Sequence, residues 1–100
     1  MDEKRGVKGI ARFLFAEGTD DDKLHLHVSE VDPGTSAHPP HSHTGQEIFY
    51  VMSGRGEVLV GDHTHTLEAG EAIQVECTVE HGIRNIGDTA MRYAVIIARG

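Results

Sequence analysis

Apolar and polar residues alternate in short runs along most of this chain, with a period of two. From Lys23 to Val31, Leu24, Leu26 and Val28 share one parity and His25, His27 and Ser29 the other, the mark of a half-buried β-strand. Glu47 to Ser53 carries apolar residues on both parities, so both faces of that strand are expected to be covered. Further strands are predicted over Glu57–Val60, Thr64–Leu67, Ile73–Val79 and Met91–Ala98, and Val7–Phe15 is a short apolar segment ending in Glu-Gly. Turns fall at Asp20-Asp21-Asp22, Asp32-Pro33-Gly34, Gly54-Arg55-Gly56, Gly61-Asp62, Ala69-Gly70-Glu71 and Asn85-Ile86-Gly87-Asp88. Pro39-Pro40 removes two ladder donors and belongs at a rim or an edge. No apolar pattern keeps helical spacing for three turns. Short strands every 8–12 residues or so predict an all-β sandwich or barrel.

Length and composition narrow the classes. A chain of 100 residues is expected to form one domain, residues 1–100. A domain this small buries only roughly 60–65% of its unfolded surface, so pairing with a second copy would add stability. The hydrophobic share is 38%, and no apolar run approaches the ~20 residues of a membrane span. The start, Met-Asp-Glu-Lys-Arg-Gly-Val, has no apolar stretch after its basic pair, which argues against a secretory signal. The single cysteine, Cys77, fits a reducing compartment, and a cytoplasmic location is expected. A formal net charge of −7 without a basic stripe argues against nucleic-acid binding.

Histidine is in excess, with eight in the chain at 25, 27, 38, 41, 43, 63, 65 and 81, and histidine is the commonest metal ligand. In His41-Ser42-His43, residues two apart point to the same side of an extended chain and can converge on one ion. Thr44-Gly45-Gln46 can then turn the chain, so that Glu47 opens the next strand facing the two imidazoles. His81 shares its parity with Ile73, Val75, Cys77, Val79 and Ile83, which points it inward. Taken alone, His81 reads better as a core histidine bonded to a backbone carbonyl, and His41 with His43 as a polar loop.

Taken together, these residues resemble a known family. The run Gly34 … His41-x-His43-x3-Glu47-x6-Gly54 is similar to the first motif of the cupin superfamily (residues 34–54). The run Gly70-x5-Glu76-x-Thr78-x2-His81-x3-Asn85 is similar to the second (residues 70–85). With the segment between them they cover over half the chain. One extra residue separates Gly34 from His41, and Glu76 and Thr78 stand where the second motif has proline and glycine, so the turn before His81 is expected to differ in shape. The resemblance implies an all-β double-stranded β-helix, the jelly-roll or cupin barrel, in a small single-domain form. It also implies one divalent transition metal ion held by His41, His43, Glu47 and His81. Such a mixed nitrogen–oxygen set suits Mn, Fe, Ni, Co, Cu or Zn and does not choose among them.

Other residues carry weaker signals. His25 and His27 read as surface or interface polarity, and His63 and His65 as a solvated hairpin turn. His38 is placed overhanging the barrel mouth. Cys77 is expected inside the barrel, where a thiol usually only packs. Phe49 and Val51, on the parity of Glu47, are expected to line the cavity. Tyr50, on the opposite parity, is expected at an interface. Arg84 reads as a surface charge, yet it is the first choice to hold an anionic substrate if its strand bends. Gln46 is a candidate hydrogen-bond partner for a metal ligand.

Fold leaves function open. A metal-dependent enzyme on a small, oxygen-rich, anionic metabolite is favoured, of dioxygenase, decarboxylase, isomerase or lyase type; no catalytic residue beyond the ligands can be named. The alternative is a non-catalytic small-molecule binding or sensor module, and a protein whose ion is purely structural comes third. Ile48 and Tyr50 on the outer parity favour a homodimer, through sheet faces or exchanged N-terminal strands.

Overall fold

The computed structural model describes residues 2, 3, 12, 14–19 and 23–99. Asp20-Asp21-Asp22 and most of the Val7–Phe15 segment lie outside the described residues. Two short strands, β1 (Asp2–Glu3) and β2 (Leu14–Phe15), pair antiparallel. Seven more follow: β3 (Leu24–Val31), β4 (Gln46–Ser53), β5 (Arg55–Val60), β6 (His63–Glu68), β7 (Ala72–Glu76), β8 (His81–Asn85) and β9 (Met91–Ala98). They build two antiparallel sheets, one in the order β3-β9-β4-β7 and one in the order β6-β5-β8. Among the described residues there is no helix. The architecture is all-β, as the period-two pattern predicts.

Both sheets contribute to one core. Phe49 and Val51 of β4, Val75 of β7, and Met91, Tyr93 and Val95 of β9 meet Val58, Leu67 and Ile83 from the smaller sheet. β4 buries Glu47, Phe49 and Val51, while Tyr50 and Met52 are exposed, so the second face expected to be covered is open within the chain. Asn85, fully buried, ties the sheets together. Its Nδ2 donates to Val31 O at 3.1 Å and Thr89 O at 2.8 Å, and its Oδ1 accepts from Gly87 N at 2.9 Å.

Several expectations fail here, two of them for instructive reasons. The run Ile73–Val79 is not one strand. β7 ends at Glu76 and residues 77–80 turn, because the chain must leave the larger sheet before β8 enters the smaller one. The Glu76 carboxylate holds that turn by accepting from Thr78 N at 3.1 Å and from the Thr78 hydroxyl, and these bonds keep it below the ordinary carboxylate range. Val79 therefore points to solvent.

The second failure is the facing of β3. His27 and Ser29 are buried and Leu24 is 57% exposed, so the polar parity faces inward. β3 pairs with β9 in a register that sets His25, His27 and Ser29 opposite Ile97, Val95 and Tyr93, and the inward side of β9 is the side of Tyr93 and Val95. His63 and His65 lie on β6 rather than in a turn, and both are exposed.

Candidate metal centre

The hairpin that carries the candidate ligands is shaped by backbone pairing. His41 and His81 form an antiparallel bridge outside the main ladders. Two residues on, His43 N–H donates to Cys77 O at 2.8 Å and Cys77 N–H donates to Gly45 O at 3.3 Å. Gly45 has φ +99°, and a Cβ there would sit 2.5 Å from Ala98 O. A glycine is therefore required at the turn that sends the chain into β4, where Glu47 is the second residue.

His43 Nε2, His81 Nε2 and Glu47 Oε1 meet at the end of this hairpin. The separations are 3.2 Å between the two imidazole nitrogens, 3.2 Å from His43 to Glu47 and 3.5 Å from His81 to Glu47. The other nitrogen of each ring faces a carbonyl: His81 Nδ1 donates to Val79 O at 2.9 Å and His43 Nδ1 to Thr44 O at 2.8 Å. A carbonyl can only accept, so in both neutral rings the proton sits on Nδ1 and the lone pair on Nε2. Two lone pairs and a carboxylate oxygen thus converge. Three acceptors at this range repel one another unless a cation or a proton is shared among them, and Glu47 and His81 are 4% and 0% exposed, where water screens little.

The spacing suits a metal. A point equidistant from three atoms separated by 3.2, 3.2 and 3.5 Å lies about 1.9 Å from each, close to the ~2.0–2.2 Å of transition-metal bonds to imidazole and carboxylate. A fourth donor atom joins this compact group: Cys77 Sγ, with all four atoms within 4.8 Å of one another. The thiol is fully buried, and burial first, with the Glu47 and Glu76 charges adding to it, pushes its pKa up to about 11.

His41 stands beside the group on the solvent side. Its ring centroid lies 5.1 Å from that of His43 and 4.9 Å from that of His81, and the residue is exposed. Desolvation, with repulsion from His38, His81 and His43, holds its imidazole below the ordinary histidine range, against a bond to Pro39. A ring kept neutral is one ready to donate a lone pair.

Glu47, His43 and His41 open onto a cavity of about 530 Å³. Phe49 and His38 line it as expected, whereas Val51 packs deeper in the core. The far wall was not foreseen: it consists of His25 and His27 on β3, Tyr93 on β9, and Arg99. His25 Nε2 and His27 Nδ1 are 2.9 Å apart, and Tyr93 hydrogen-bonds Ser29. His25 and Glu47 both pair with Ile97, so they share one row, two strand spacings or about 10 Å apart.

Arg84 is exposed on the outside of β8, in a separate shallow groove with Pro40 and Leu59. Arg99 is the arginine at the cavity instead. Gln46 accepts from Gln74 Nε2 on the outer face and does not reach a candidate ligand. The signal that could have placed His25 and His27 was the outer parity of the neighbouring strands. Ile48 and Tyr50 on β4 already marked an apolar outer face, and Leu24, Leu26 and Val28 extend it in register.

Comparison with known proteins bears on the family and the fold. The family model described as "Cupin domain" matches residues 27–97. Among curated proteins no match was found. A structure described as a predicted oxalate decarboxylase from Thermotoga maritima is similar at 25% identity and TM-score 0.69, covering 77% of this chain and 68% of that one. A cupin superfamily protein from Desulfitobacterium hafniense is similar at 15% identity and TM-score 0.72, covering 82% and 72%. A Cupin 2 conserved barrel domain protein from Salinispora arenicola is similar at 22% identity and TM-score 0.70, covering 87% and 72%.

Proposed function

This chain belongs to the cupin family, and from that premise we propose that it is a metal-dependent enzyme acting on a small, oxygen-rich, anionic metabolite. The observation that carries this reading is the convergence of three acceptor atoms, 3.2–3.5 Å apart, at the edge of a cavity of about 530 Å³. That volume is within the range of pockets that enclose small molecules.

His43, Glu47 and His81 would hold one divalent transition ion in this reading, with His41 as a further nitrogen donor. The ion, once bound, supplies Lewis acidity and open positions for substrate oxygens. The chain's own groups do the rest. Phe49 and Val95 give the cavity an apolar wall. His25 and His27, about 10 Å across the sheet from Glu47, offer hydrogen bonds to the end of a substrate remote from the ion. Arg99 adds a positive charge on the same side. Polar side chains facing into a barrel need hydrogen-bond partners, and His25 has His27 while Ser29 has Tyr93.

No helix among the described residues is long and apolar enough to cross a membrane, and we place the protein in the cytoplasm, where its buried thiol stays reduced. It works as a homodimer in this reading.

The test is elemental analysis of protein purified without a histidine tag, beside His81→Ala, followed by a substrate panel. About one equivalent of a transition metal in the wild type and none in the variant is the expected result. Turnover of a short dicarboxylate, keto acid or enediol by the loaded protein would then support the enzyme reading; small dicarboxylates come first because one structural relative is described as a predicted oxalate decarboxylase. A protein that takes up no metal from excess Mn, Fe, Co, Ni, Cu or Zn would overturn it.

A further inference from the structure

Resting on the metal site of that reading, we propose that Cys77 is itself a ligand, supplying a thiolate sulfur to the ion held by His43, Glu47 and His81. The sulfur belongs to the compact donor group: Sγ and the donor atoms of those three residues lie within 4.8 Å of one another. With a sulfur bond of about 2.3 Å and nitrogen and oxygen bonds of about 2.1 Å, two donors on one ion are at most ~4.4 Å apart. The widest separation in the group is a few tenths of an ångström beyond that limit, which a small shift of the sulfur toward the ion closes.

The backbone keeps the sulfur in place. Cys77 O accepts from His43 N at 2.8 Å, and Cys77 N donates to Gly45 O at 3.3 Å, so the thiol is tied to the segment that carries His43. Its side chain is fully buried. Its polar contact within the protein is weak, an S–H pointing at Val75 O from 3.9 Å. Movement of a few tenths of an ångström toward the ion therefore breaks no strong bond. His41, by contrast, is exposed at the rim and lies outside the compact group of four.

The consequence is a change of metal preference. Adding a thiolate to the imidazoles and carboxylate of that site makes a softer set than imidazoles and a carboxylate alone. It shifts selectivity toward Zn, Co, Ni and Cu and away from Mn, which suits harder oxygen donors. As the sulfur–metal bond forms, the thiol proton passes to the buffer. No electrons are transferred and no oxidant is needed.

The experiment loads the full-length protein with Co(II), confirms the stoichiometry by elemental analysis, and records the near-ultraviolet spectrum. A sulfur-to-cobalt charge-transfer band is expected in the wild type. It should be absent from Cys77→Ser, which still binds one cobalt through His43, Glu47 and His81. X-ray absorption at the zinc edge of wild-type protein loaded with zinc should show one sulfur neighbour at about 2.3 Å, and this decides the matter without a variant should Cys77→Ser not fold. One equivalent of cobalt with no such band, and a zinc shell of nitrogen and oxygen alone, would overturn the thiolate ligand while leaving the metal centre standing. No uptake of either ion would overturn both.

Discussion

His41 and His81 exchange both of their backbone hydrogen bonds: His41 N–H donates to His81 O at 3.1 Å and His81 N–H to His41 O at 2.9 Å. The bridge fastens the segment that brings in His41 and His43 to the strand that brings in His81. It depends on the backbone and not on the imidazoles, so each ring can be removed with the frame intact.

Removing single rings should therefore separate their roles. His81→Ala and His43→Ala each delete one corner of the acceptor triangle and should abolish metal uptake at micromolar concentrations. His41→Ala removes a rim donor outside the compact group and should weaken uptake by a smaller factor, on the order of 10–100-fold. Thermal unfolding with and without added Co(II) measures this. Saturation at about a hundred times Kd adds ~2.7 kcal/mol, or roughly 10–20 °C for a domain of this size. An equal loss of the metal-induced shift in all three variants would show that His41 is as essential as the other two.

Gly45 couples backbone conformation to the same site. At φ +99°, with a Cβ position 2.5 Å from Ala98 O, Gly45→Ala must move either the hairpin or the end of β9. The hairpin holds His43 and Glu47 on either side of residue 45, so a shift there moves two candidate ligands. Expected outcomes are a stability loss of about 2 kcal/mol or more and a clear drop in metal affinity, measured by urea unfolding and by metal titration. Wild-type affinity in the variant would mean that the turn does not position the ligands.

Much of this centre is readable from the residues because parity survives folding. Glu47, Phe49 and Val51 face in together, and His81 lies inward with Val75, Cys77 and Ile83, although Val79 does not. What resists reading is orientation relative to the rest of the sheet. β3 has one apolar face and one polar face, and alternation alone does not say which is inside. Only the pairing of Leu26 with Ile96, and of Ile96 with Ile48, shows that the apolar side of β3 continues an apolar outer surface. Arg84 is the surface charge that its parity predicts, whereas nothing in the alternation marks Arg99, whose place at the cavity depends on where β9 ends. The turn at 77–80 is hidden because unbroken alternation crosses it.

That outer surface should pair two copies. Leu24, Tyr50 and Met52 are 57%, 40% and 45% exposed, Ile48, Ile96, Leu26 and Val28 are half-buried around them, and Arg92 and Glu30 neutralise each other at 2.8 Å at one end. A chain with net charge −7 resists self-association elsewhere, and this face offers contact without charge. Sedimentation equilibrium should give a dimer mass for wild type and a monomer mass for Ile96→Arg, with metal uptake kept. A wild-type monomer at micromolar concentration would refute the pairing.

Asn85 should be among the costliest polar side chains to remove. It is fully buried and satisfies Val31 O, Thr89 O and Gly87 N, linking strands that belong to different sheets. Asn85→Ala leaves three backbone groups without their side-chain partner and opens a small void. A loss of about 2–4 kcal/mol is expected by urea unfolding. A loss below about 1 kcal/mol would mean that water replaces the amide.

Tyr93 should make the protein less stable in alkali. Burial of the phenol, with the Glu47 charge adding to it, raises its pKa above the ordinary tyrosine value of 10.0, and the bond with Ser29 opposes the rise. A raised folded-state value means that the native protein keeps its proton where the unfolded chain has lost it. The stabilisation is fully present below pH ~10 and drains away as pH climbs through the folded value. The chain has two tyrosines, so in Tyr50→Phe the phenolate absorbance near 295 nm reports on Tyr93 alone. In the metal-free protein that signal should emerge only above the ordinary tyrosine range, and urea stability should fall over the same interval. Ser29→Ala, which removes the opposing bond, should push the onset higher. Phenolate appearing at or below pH 10 in the folded variant would show that the ring is more hydrated than its burial implies.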